Sequence, residues 1–454
     1  MQRREWLKRA GMAGLATLAP GIVARAYALP QQADARFLLV FLRGGYDATN
    51  VLVPAGSDFY YAARPTIAIA RPVAPAASDT PADPRAALSL AAASDGGADR
   101  GIGDWALHPA LRDSMLPLWR KRQLAFVPFA GTEDLSRSHF ETQDGVEAGL
   151  PLAGASGARS VASLRGTGFL NRLAGVMGGR AAPVAFTDGL PVVLSGPLNV
   201  PNVSLKGTGR TPFDERQTRV LAQMYRGTRF ESLIDEGFEL RQTVAQEAEA
   251  MQRRNAMLAQ GGQGGQGEGD AAMAGRMQEM QAANRRALSA RGFELEARRM
   301  AGLMRERFNL GFIDVGGWDT HVNQGGAQGQ LASLLDNLGR GIAGFAEEIG
   351  PAWNQTTLVV VSEFGRTFRE NGTRGTDHGH GTVYWVAGGA VRGGRIAGEQ
   401  VAVEQRTLNQ NRDWPVLNEY RALLGGLFRR LYGLDDARLA QVFPGARAVD
   451  LGLV

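Results

Sequence analysis

The sequence has no cysteine and only five histidines among its 454 residues. The absence of cysteine excludes disulfide bonds, a thiolate nucleophile and metal binding through thiolates. Any metal must therefore be bound by imidazole nitrogen and carboxylate oxygen, with serine or threonine hydroxyls as further ligands. With so few histidines, the places where they occur together are informative.

The net charge of the chain is also small when the N-terminus is left out. The net charge is +5, but residues 1–28 hold five basic residues against one acidic residue and account for +4 of it. The remaining chain carries about +1. No basic patch with interleaved aromatic residues is left to bind a phosphate backbone, which argues against nucleic acid as a partner.

Long hydrophobic runs are lacking: beyond the N-terminus, no run of about 18 apolar residues predicts a membrane span. At the N-terminus, Arg3–Arg4 precedes a short apolar stretch at residues 10–23 and the small-x-small sequence Ala26–Tyr27–Ala28. This pattern resembles a twin-arginine signal peptide over residues 1–28. We expect export by the twin-arginine machinery to the periplasm or cell exterior. The alternative is a basic amphipathic start or an uncleaved anchor.

Apolar runs typical of buried strands recur along the chain. Phe37–Leu42 is continuous and ends at Gly44–Gly45, as expected for a strand buried on both faces. Similar runs are LAFVPFAG, FNLGFIDVGG, TTLVVVSEFG and GTVYWVAGGAV. Amphipathic patterns separate several of them and indicate helices. Strands that alternate with helices predict an α/β fold with a mostly parallel central sheet, in a domain over residues 29–454.

A different composition occurs in the middle of this domain. Residues 214–258 and 271–307 are rich in Arg, Glu, Gln, Ala, Leu and Met, which favours helix. The glycine–glutamine tract at 260–270 cannot build a core and is typical of a disordered linker. We therefore predict a long helical hairpin inserted at 214–307. Its helices offer a surface for a protein partner.

Polar residues follow four of the predicted strands. In open α/β sheets, ligands bind beyond the carboxyl ends of the strands. We therefore expect these polar segments to meet at one edge of the sheet. The candidates are Asp47 and Asn50; Ser136, Ser138 and His139; Asp319 and His321; and Glu363 and Arg366.

Two pairs of residues have a spacing that suits a metal site. Asp319 and His321 are two residues apart, and in an extended segment their Cα atoms lie about 6.5 Å apart with both side chains on one face. His378 and His380 share this spacing within the sequence GTDHGHGT. One imidazole can bind the metal while the other contacts a substrate oxygen or acts as an acid or base. The alternatives are a hydrogen-bonded turn and a flexible glycine loop.

Glu363 and Arg366 combine two kinds of charged group after one strand. The carboxylate can hold a metal. The guanidinium can clamp an anionic oxygen pair in a bidentate manner. The alternative is a structural ion pair between the two side chains.

The segment DLSRSHFETQD offers two hydroxyl nucleophiles, Ser136 and Ser138, next to the candidate catalytic residue His139. A serine needs a base or a metal to become a good nucleophile. The alternative is a capping box in which Ser138 and Glu141 open a helix. Both interpretations are compatible, because a helix N-terminus also favours an anionic phosphate or sulfate. His108 is expected to be structural, since it lies beside a helix start.

Several blocks of the sequence together resemble one family. They are RREWLKRAG, FLRGGYDATNVLVP, LHPAL, SRSHFETQD, GGWDTHVNQ and SEFGRTFRENGTRGTDHGHGTVYWVAGGAVRGG. They extend through most of the mature chain and look like domain of unknown function 1501 (DUF1501), a family of exported bacterial proteins. That family is similar to the alkaline phosphatase and sulfatase superfamily. The resemblance implies an α/β/α sandwich with a metal site at the strand ends.

The resemblance also implies roles for individual residues. Asp47 is the nearest match to the aspartate that binds metal after the first strand. Ser136 or Ser138 stands at the position of the nucleophile. Asp319 and His321 match the residue types of a metal-binding Asp–His pair.

The rest of the implied site departs from the superfamily pattern. His378 or His380 would serve as the histidine that completes a metal site. Glu363 stands where a second Asp–His pair is expected, but no histidine lies beside it. This departure favours one good metal position, in either a single-metal hydrolase or a site that has lost its activity.

The sequence thus predicts an exported, metal-dependent hydrolase that acts on phosphate or sulfate esters of small molecules or polymers. Zinc is the first choice for the ligand set, with Mn, Mg and Ca as alternatives. The competing hypothesis is a catalytically silent exported pseudoenzyme that serves as a binding or scaffold protein.

Overall fold

The computed structural model describes residues 34–72, 83–90, 105–152, 162–204, 288–289 and 292–454, together with 220, 223–228 and 231. The expected signal peptide at residues 1–28 lies outside these residues. The described residues belong to a unit that spans residues 32–454. Its centre is a nine-stranded sheet.

The central strands form where apolar runs are buried on both faces. The first strand has the sequence RFLLVFL, and six of its seven residues are buried. The strands are β1 (Arg36–Leu42), β2 (Leu52–Val53), β3 (Leu88–Ser89), β4 (Ala106–Leu107), β5 (Leu124–Gly131), β6 (Pro183–Ala185), β7 (Leu288–Ser289), β8 (Leu310–Gly316), β9 (Thr356–Ser362), β10 (Thr382–Ala387), β11 (Arg395–Ile396) and β12 (Asn418–Glu419). The large sheet has the order β11-β5-β10-β9-β1-β8-β6, with β12 beside β5 and β7 beside β8.

Most neighbouring strands of this sheet run parallel, which confirms the predicted α/β class and the mostly parallel sheet. Strand β1 is parallel to both β8 and β9. Strand β10 is antiparallel to both β5 and β9. Because of this reversal, the amino end of β10 at Thr382 pairs with Ala130 near the carboxyl end of β5. The segment that precedes β10 therefore reaches the edge where the parallel strands end.

Helices cover both faces of the large sheet. The α-helices are α1 (Asp58–Ala63), α2 (Met115–Arg120), α3 (His139–Ala148), α4 (Phe169–Met177), α5 (Phe293–Glu306), α6 (Gln330–Ile349), α7 (Tyr420–Tyr432) and α8 (Asp436–Val442). The 3-10 helices are Ala48–Asn50, Pro109–Leu111, Ala162–Leu164, Gly178–Arg180, Val192–Leu194, Gly350–Gln355 and Gln405–Thr407. Alternate residues of β1 enter two cores: Leu38 packs with residues of α5 and α6, and Phe37 packs with residues of α4 and α7. Among the described helices, none is both long and apolar enough to cross a membrane.

The predicted helical hairpin at 214–307 is not confirmed. Most of it, including the glycine–glutamine tract at 260–270, lies outside the described residues. Strand β7 falls within the second predicted helix, where it pairs in parallel with Val315 and Gly316 of β8. The backbone there bonds to the sheet instead of to a helical turn. Only α5, at the end of that predicted helix, is described as a full helix.

Candidate metal centre

Three histidines and an aspartate meet at the edge of the sheet where β5, β8 and β9 end. His139 opens α3 after β5, and Asp319 and His321 follow β8, whereas His378 precedes β10. The Nε2 atom of His378 lies 2.9 Å from Nε2 of His139 and 3.1 Å from Nε2 of His321. The Oδ1 atom of Asp319 lies 3.3 Å from the same His378 nitrogen and 2.9 Å from Nε2 of His321.

In each of these three rings, the other nitrogen, Nδ1, faces an acceptor. The contacts are His139 with Glu363 Oε1 at 2.8 Å, His378 with the Arg137 carbonyl at 3.0 Å, and His321 with Asp377 Oδ1 at 3.2 Å. Carboxylates and carbonyls only accept hydrogen bonds, so Nδ1 of each neutral ring carries the proton. In the neutral form of each ring, the lone pair is then on Nε2. Lone pairs that face one another at about 3 Å require a proton or a cation between them.

The spacing of these atoms suits a single metal ion. Two ligands at about 2.1 Å from one ion and at a tetrahedral angle lie about 3.4 Å apart. Within the part of the chain that the structure describes, His139, Asp319 and His378 form a group whose ligand atoms all lie within 4.8 Å of one another. His321 contacts two of these three residues and is the fourth candidate ligand. Imidazole nitrogen and carboxylate oxygen form a donor set that fits zinc.

The surrounding charges favour a cation at this point. Burial opposes ionisation of Asp319, but the neighbouring imidazoles and the Arg366 guanidinium hold the pKa of Asp319 well below its usual value. Burial likewise opposes protonation of His139. Hydrogen bonds to Asp319 and Glu363 and their negative charges outweigh this effect and raise the pKa of His139 to about 9.

Glu363, a candidate metal ligand from the sequence, lies behind the cluster. Its Oε1 atom accepts hydrogen bonds from His139 Nδ1, Gln143 Nε2 and the Gly44 backbone N–H, each at 2.8 Å. The Ser362 hydroxyl donates to Oε2 at 2.8 Å. Burial would raise the pKa of Glu363, but these donors, His139 above all, lower it to about 2. Glu363 therefore orients His139 and does not face the Nε2 cluster.

Asp47, the candidate ligand after β1, lies apart from the cluster in a separate buried network. Arg64 donates to its two oxygens at 2.6 and 3.0 Å, and Gln324 Nε2 donates to Oδ2 at 2.6 Å. Asp47 and Arg64 are fully buried. This ion pair uses the oxygen lone pairs that a metal would need. Asn50 joins the same network through Arg64 Nη1 at 2.9 Å.

Arg366 is buried under the cluster with its N–H groups engaged. They donate to the Asp319 carboxylate and to the backbone carbonyls of Gly44, Gly45, Trp318 and Thr376. Arg366 therefore holds Asp319 and the turn after β1, and it is not available to clamp a substrate anion. Its Nη1 atom also lies 3.4 Å from Nε2 of His321, a weak contact that a bound ion would replace.

The glycines of GTDHGHGT let His378 reach the cluster. A Cβ atom on Gly375 would lie 2.2 Å from the His321 carbonyl oxygen, and one on Gly379 would lie 2.4 Å from the backbone of Arg366. His378 and Arg366 form an antiparallel bridge at this point. Only glycine permits such close backbone contact, so these glycines fix the position of the ring between them.

His380 lies in different surroundings. It is buried next to the loop before α3, where its ring bonds to the backbone of Asp134. Burial, followed by the nearby charge of Arg137, lowers the pKa of His380 to about 4, so the ring is neutral at pH 7. Across the described residues, no hydrogen bond links this side chain to the three clustered rings.

The two candidate serines also differ. The Ser136 hydroxyl donates to Asp134 Oδ2 at 3.0 Å and lies 3.3 Å from Thr142 Oγ1. Ser138 is the N-cap residue of α3, but its side chain makes no capping hydrogen bond, so the capping box with Glu141 is not formed. In the described structure its hydroxyl has no hydrogen-bond partner. Ser138 is half-buried and directly precedes His139.

The supporting residues behind the cluster were not among the candidates from the sequence. Arg43 is buried and donates to Gln143 Oε1 at 2.9 Å and to Glu147 Oε1 at 2.8 Å. Gln143 in turn donates to Glu363, which holds His139. The signal that could have revealed them is the i, i+4, i+8 spacing of His139, Gln143 and Glu147, which puts all three on one face of a helix.

The family of the chain follows from comparison with known proteins. No curated protein and no solved structure gives a match. One family model, described as a protein of unknown function (DUF1501), matches residues 34–443. That range runs from before β1 to the end of α8 and includes every candidate ligand of the metal centre. The chain therefore belongs to the DUF1501 family.

Proposed function

We propose that this protein is an exported, metal-dependent hydrolase of phosphate or sulfate esters. In this proposal His139, Asp319 and His378 hold a divalent ion, and His321 completes the set. The observation that carries it is the convergence of three Nε2 atoms, each on a ring whose Nδ1 faces an acceptor. Such acceptors fix the tautomer that binds a metal. Zinc suits the donor set best, with Mn, Mg and Ca as alternatives.

The exposure of the cluster supports a catalytic rather than a purely structural site. The side chains of His321 and His378 are 31% and 28% exposed. Structural zinc sites are closed, whereas catalytic sites keep a position open to substrate. When bound, a divalent ion would supply Lewis-acid polarisation of a phosphoryl or sulfuryl oxygen.

Ser138 is the nucleophile in this proposal. Its hydroxyl is not held by a hydrogen bond within the described structure, whereas that of Ser136 is held by Asp134. The N-terminus of α3, at Ser138, favours an anionic ester group. Attack by Ser138 Oγ forms a bond to phosphorus or sulfur and releases the alcohol, and water then cleaves the new ester and restores the hydroxyl.

Two further features support the wider proposal. The Arg3–Arg4 pair and the pattern of residues 1–28 support export by the twin-arginine route to the periplasm or the cell exterior. A mostly parallel sheet with the candidate centre at its strand ends supports a relationship to the alkaline phosphatase and sulfatase superfamily.

The test combines metal analysis with activity. Elemental analysis of purified protein should find a divalent metal. Assays with p-nitrophenyl phosphate, bis(p-nitrophenyl) phosphate and p-nitrophenyl sulfate should show turnover with Zn, Mn, Mg or Ca. A chelator should abolish that turnover and added metal should restore it. Folded, metal-loaded protein without turnover on any of these esters would refute the hydrolase proposal.

The engagement of Arg366 favours one alternative. Because its N–H groups are committed to Asp319 and backbone carbonyls, Arg366 cannot stabilise a reacting anion without rearrangement. This would suit a catalytically silent protein that keeps a metal and serves as a binding or scaffold partner. Metal that is retained through dialysis together with absent turnover would favour this alternative, whereas metal-dependent turnover would exclude it.

A further inference from the structure

A cavity of about 380 Å³ has no role in the proposed hydrolysis. It is lined by Thr66, Ile67, Asn323, Gly325 and Arg374. Pockets that hold small ligands begin at about 300 Å³. The cavity is therefore large enough for one substituent of a substrate.

The loops that form this cavity also carry candidate ligands. Asn323, two residues after His321, donates its backbone N–H to the Thr373 carbonyl at 2.9 Å. The Thr373 hydroxyl donates to the His321 carbonyl at 2.8 Å. Arg374 follows Thr373 and lies four residues before His378. The cavity walls are thus continuous with the segments that hold two of the clustered rings.

Arg374 brings a positive charge to the cavity. Arg374 is the charged residue among those described as lining it, and its side chain is exposed. In the described structure, its guanidinium has no hydrogen bond and no ion pair. The Glu370 carboxylate accepts hydrogen bonds from the N–H groups of Thr66 and Ile67, at 3.0 and 3.2 Å, and from the Thr66 hydroxyl. It lies beside the cavity but forms no ion pair with Arg374 among the described residues.

The backbone of the lining residues is unusual as well. Arg374 has a φ angle of 57° and Asn323 one of 46°, both in the left-handed region. Asparagine adopts this region readily, but for arginine it is unfavourable. Such conformations cluster at ligand-binding sites, where the surrounding structure maintains them.

We propose that this cavity binds a second anionic group of the substrate, remote from the ester at the metal centre, and that Arg374 recognises it. A guanidinium pairs with a carboxylate or a phosphate through two parallel hydrogen bonds. The substrate is then a phosphate or sulfate ester that carries a further phosphate, sulfate or carboxylate. This assignment rests on the proposed hydrolase function, but anion binding in the cavity does not require cleavage of the ester.

Binding can be tested without turnover. Isothermal titration of inorganic pyrophosphate into metal-stripped protein at low ionic strength should show binding that Arg374→Gln weakens about tenfold or more. Arg374→Lys should recover part of the affinity. The matched control is Arg438→Gln, which removes the same charge from an exposed arginine of α8. Equal affinities in wild type and Arg374→Gln, or no binding by wild type, would overturn the proposal.

Specificity provides an independent measurement. With active enzyme, kcat/KM should be compared for p-nitrophenyl phosphate and for an aryl phosphate that carries an extra carboxylate. Arg374→Gln should lower the ratio of kcat/KM for the ester with the extra carboxylate to kcat/KM for the simple ester about tenfold. An unchanged preference contradicts the assignment. If no variant turns over any ester, the hydrolase proposal fails, and the titration alone decides whether the cavity binds anions.

Discussion

The metal centre depends on the position of one atom, Nε2 of His378. It lies within 3.3 Å of a ligand atom from each of the other three candidate ligands, His139, Asp319 and His321. The ring is placed by glycine backbone contacts on both sides and by the Nδ1 contact to the Arg137 carbonyl. Its neighbour His380 has the same ring chemistry but bonds to the backbone of Asp134.

Replacing each histidine of GTDHGHGT separately should therefore give different results. His378→Ala removes a ligand, so we expect metal affinity to fall at least about 100-fold. His380→Ala also removes a buried ring but should retain the metal, with only thermal stability lowered. Elemental analysis after dialysis measures both. Metal content that is unchanged in His378→Ala, or lost from folded His380→Ala, would contradict the ligand assignment.

The hydroxyl groups of Ser136 and Ser138 allow a second paired comparison. Ser138→Ala should lower kcat at least about 100-fold while metal content stays constant, because the nucleophile is lost and the ligands are not. Ser136→Ala removes hydrogen bonds to Asp134 and Thr142, which should cost about 1 kcal/mol of folding free energy and leave most of the turnover. Steady-state kinetics and thermal unfolding check the pair. The reverse pattern would make Ser136 the nucleophile.

At the scale of elements, helix α3 supplies both a ligand and its support. His139 lies at its first position, and Gln143 and Glu147 follow on the same face. Arg43, which directly follows β1, bonds to both of these residues at the carboxyl edge of the sheet. The helix is therefore fixed relative to the sheet by buried polar contacts, and the orientation of His139 follows from them.

Gln143→Leu tests this support without touching a ligand. It removes one donor to Glu363 and one acceptor of Arg43, both buried. We expect metal affinity to fall about 10- to 100-fold, as for other residues that orient a ligating histidine. The control is Glu141→Gln, at an exposed position of the same helix, which should leave the metal affinity unchanged. Competition with a chromophoric zinc chelator measures the metal affinity. Equal affinity in Gln143→Leu and wild type would show that Gln143 does not support His139.

The position and direction of the strands explain which parts of the site could be predicted from sequence. Asp319 and His321 could be predicted as site residues because they closely follow a strongly apolar strand. Asp47 satisfies the same rule, but its partner Gln324 is 277 residues away in the chain, and no local pattern reveals such a contact. His378 precedes its strand and reaches the edge only because β10 is antiparallel. Strand direction depends on long-range pairing, which a single sequence does not display.

At the scale of the whole molecule, the proposed centre joins segments that are far apart in sequence. His139 lies after β5, Asp319 after β8 and His378 before β10. An ion bound by all three would stabilise the native state and not the unfolded chain, in which these ligands are separated.

Metal removal should therefore lower the stability of the whole fold. With free metal at 100 times its Kd, the native state gains about 2.7 kcal/mol. For a domain of more than 400 residues, that corresponds to a fall in Tm of about 3 °C after chelation. Differential scanning calorimetry with and without chelator measures it, and added zinc should restore Tm. A Tm that changes neither with chelator nor with added metal would show that the cluster holds no ion under those conditions.

A second long-range contact makes stability depend on pH. His108 is fully buried, and its Nδ1 atom accepts a hydrogen bond from the Ala110 backbone N–H at 3.0 Å. Its Nε2 atom lies 3.1 Å from the carbonyl oxygen of Gly326, 218 residues away in the chain, and donates to it. The contact at Nδ1 requires the neutral ring, because a protonated Nδ1 cannot accept a hydrogen bond. Burial lowers the pKa of His108 to about 4, despite the opposing contact with Gly326.

The pKa of His108 gives a signed prediction for acid unfolding. The unfolded imidazole takes up a proton below about pH 6.5, while the folded ring stays neutral until about pH 4, so the free energy of unfolding falls as pH decreases through this window. The loss from this group approaches about 3 kcal/mol. His108→Asn is less stable at neutral pH but lacks this titration, so its decline between about pH 7 and pH 4 should be smaller. Denaturant unfolding in chelator measures both proteins without metal release, and parallel pH profiles would place the acid sensitivity elsewhere.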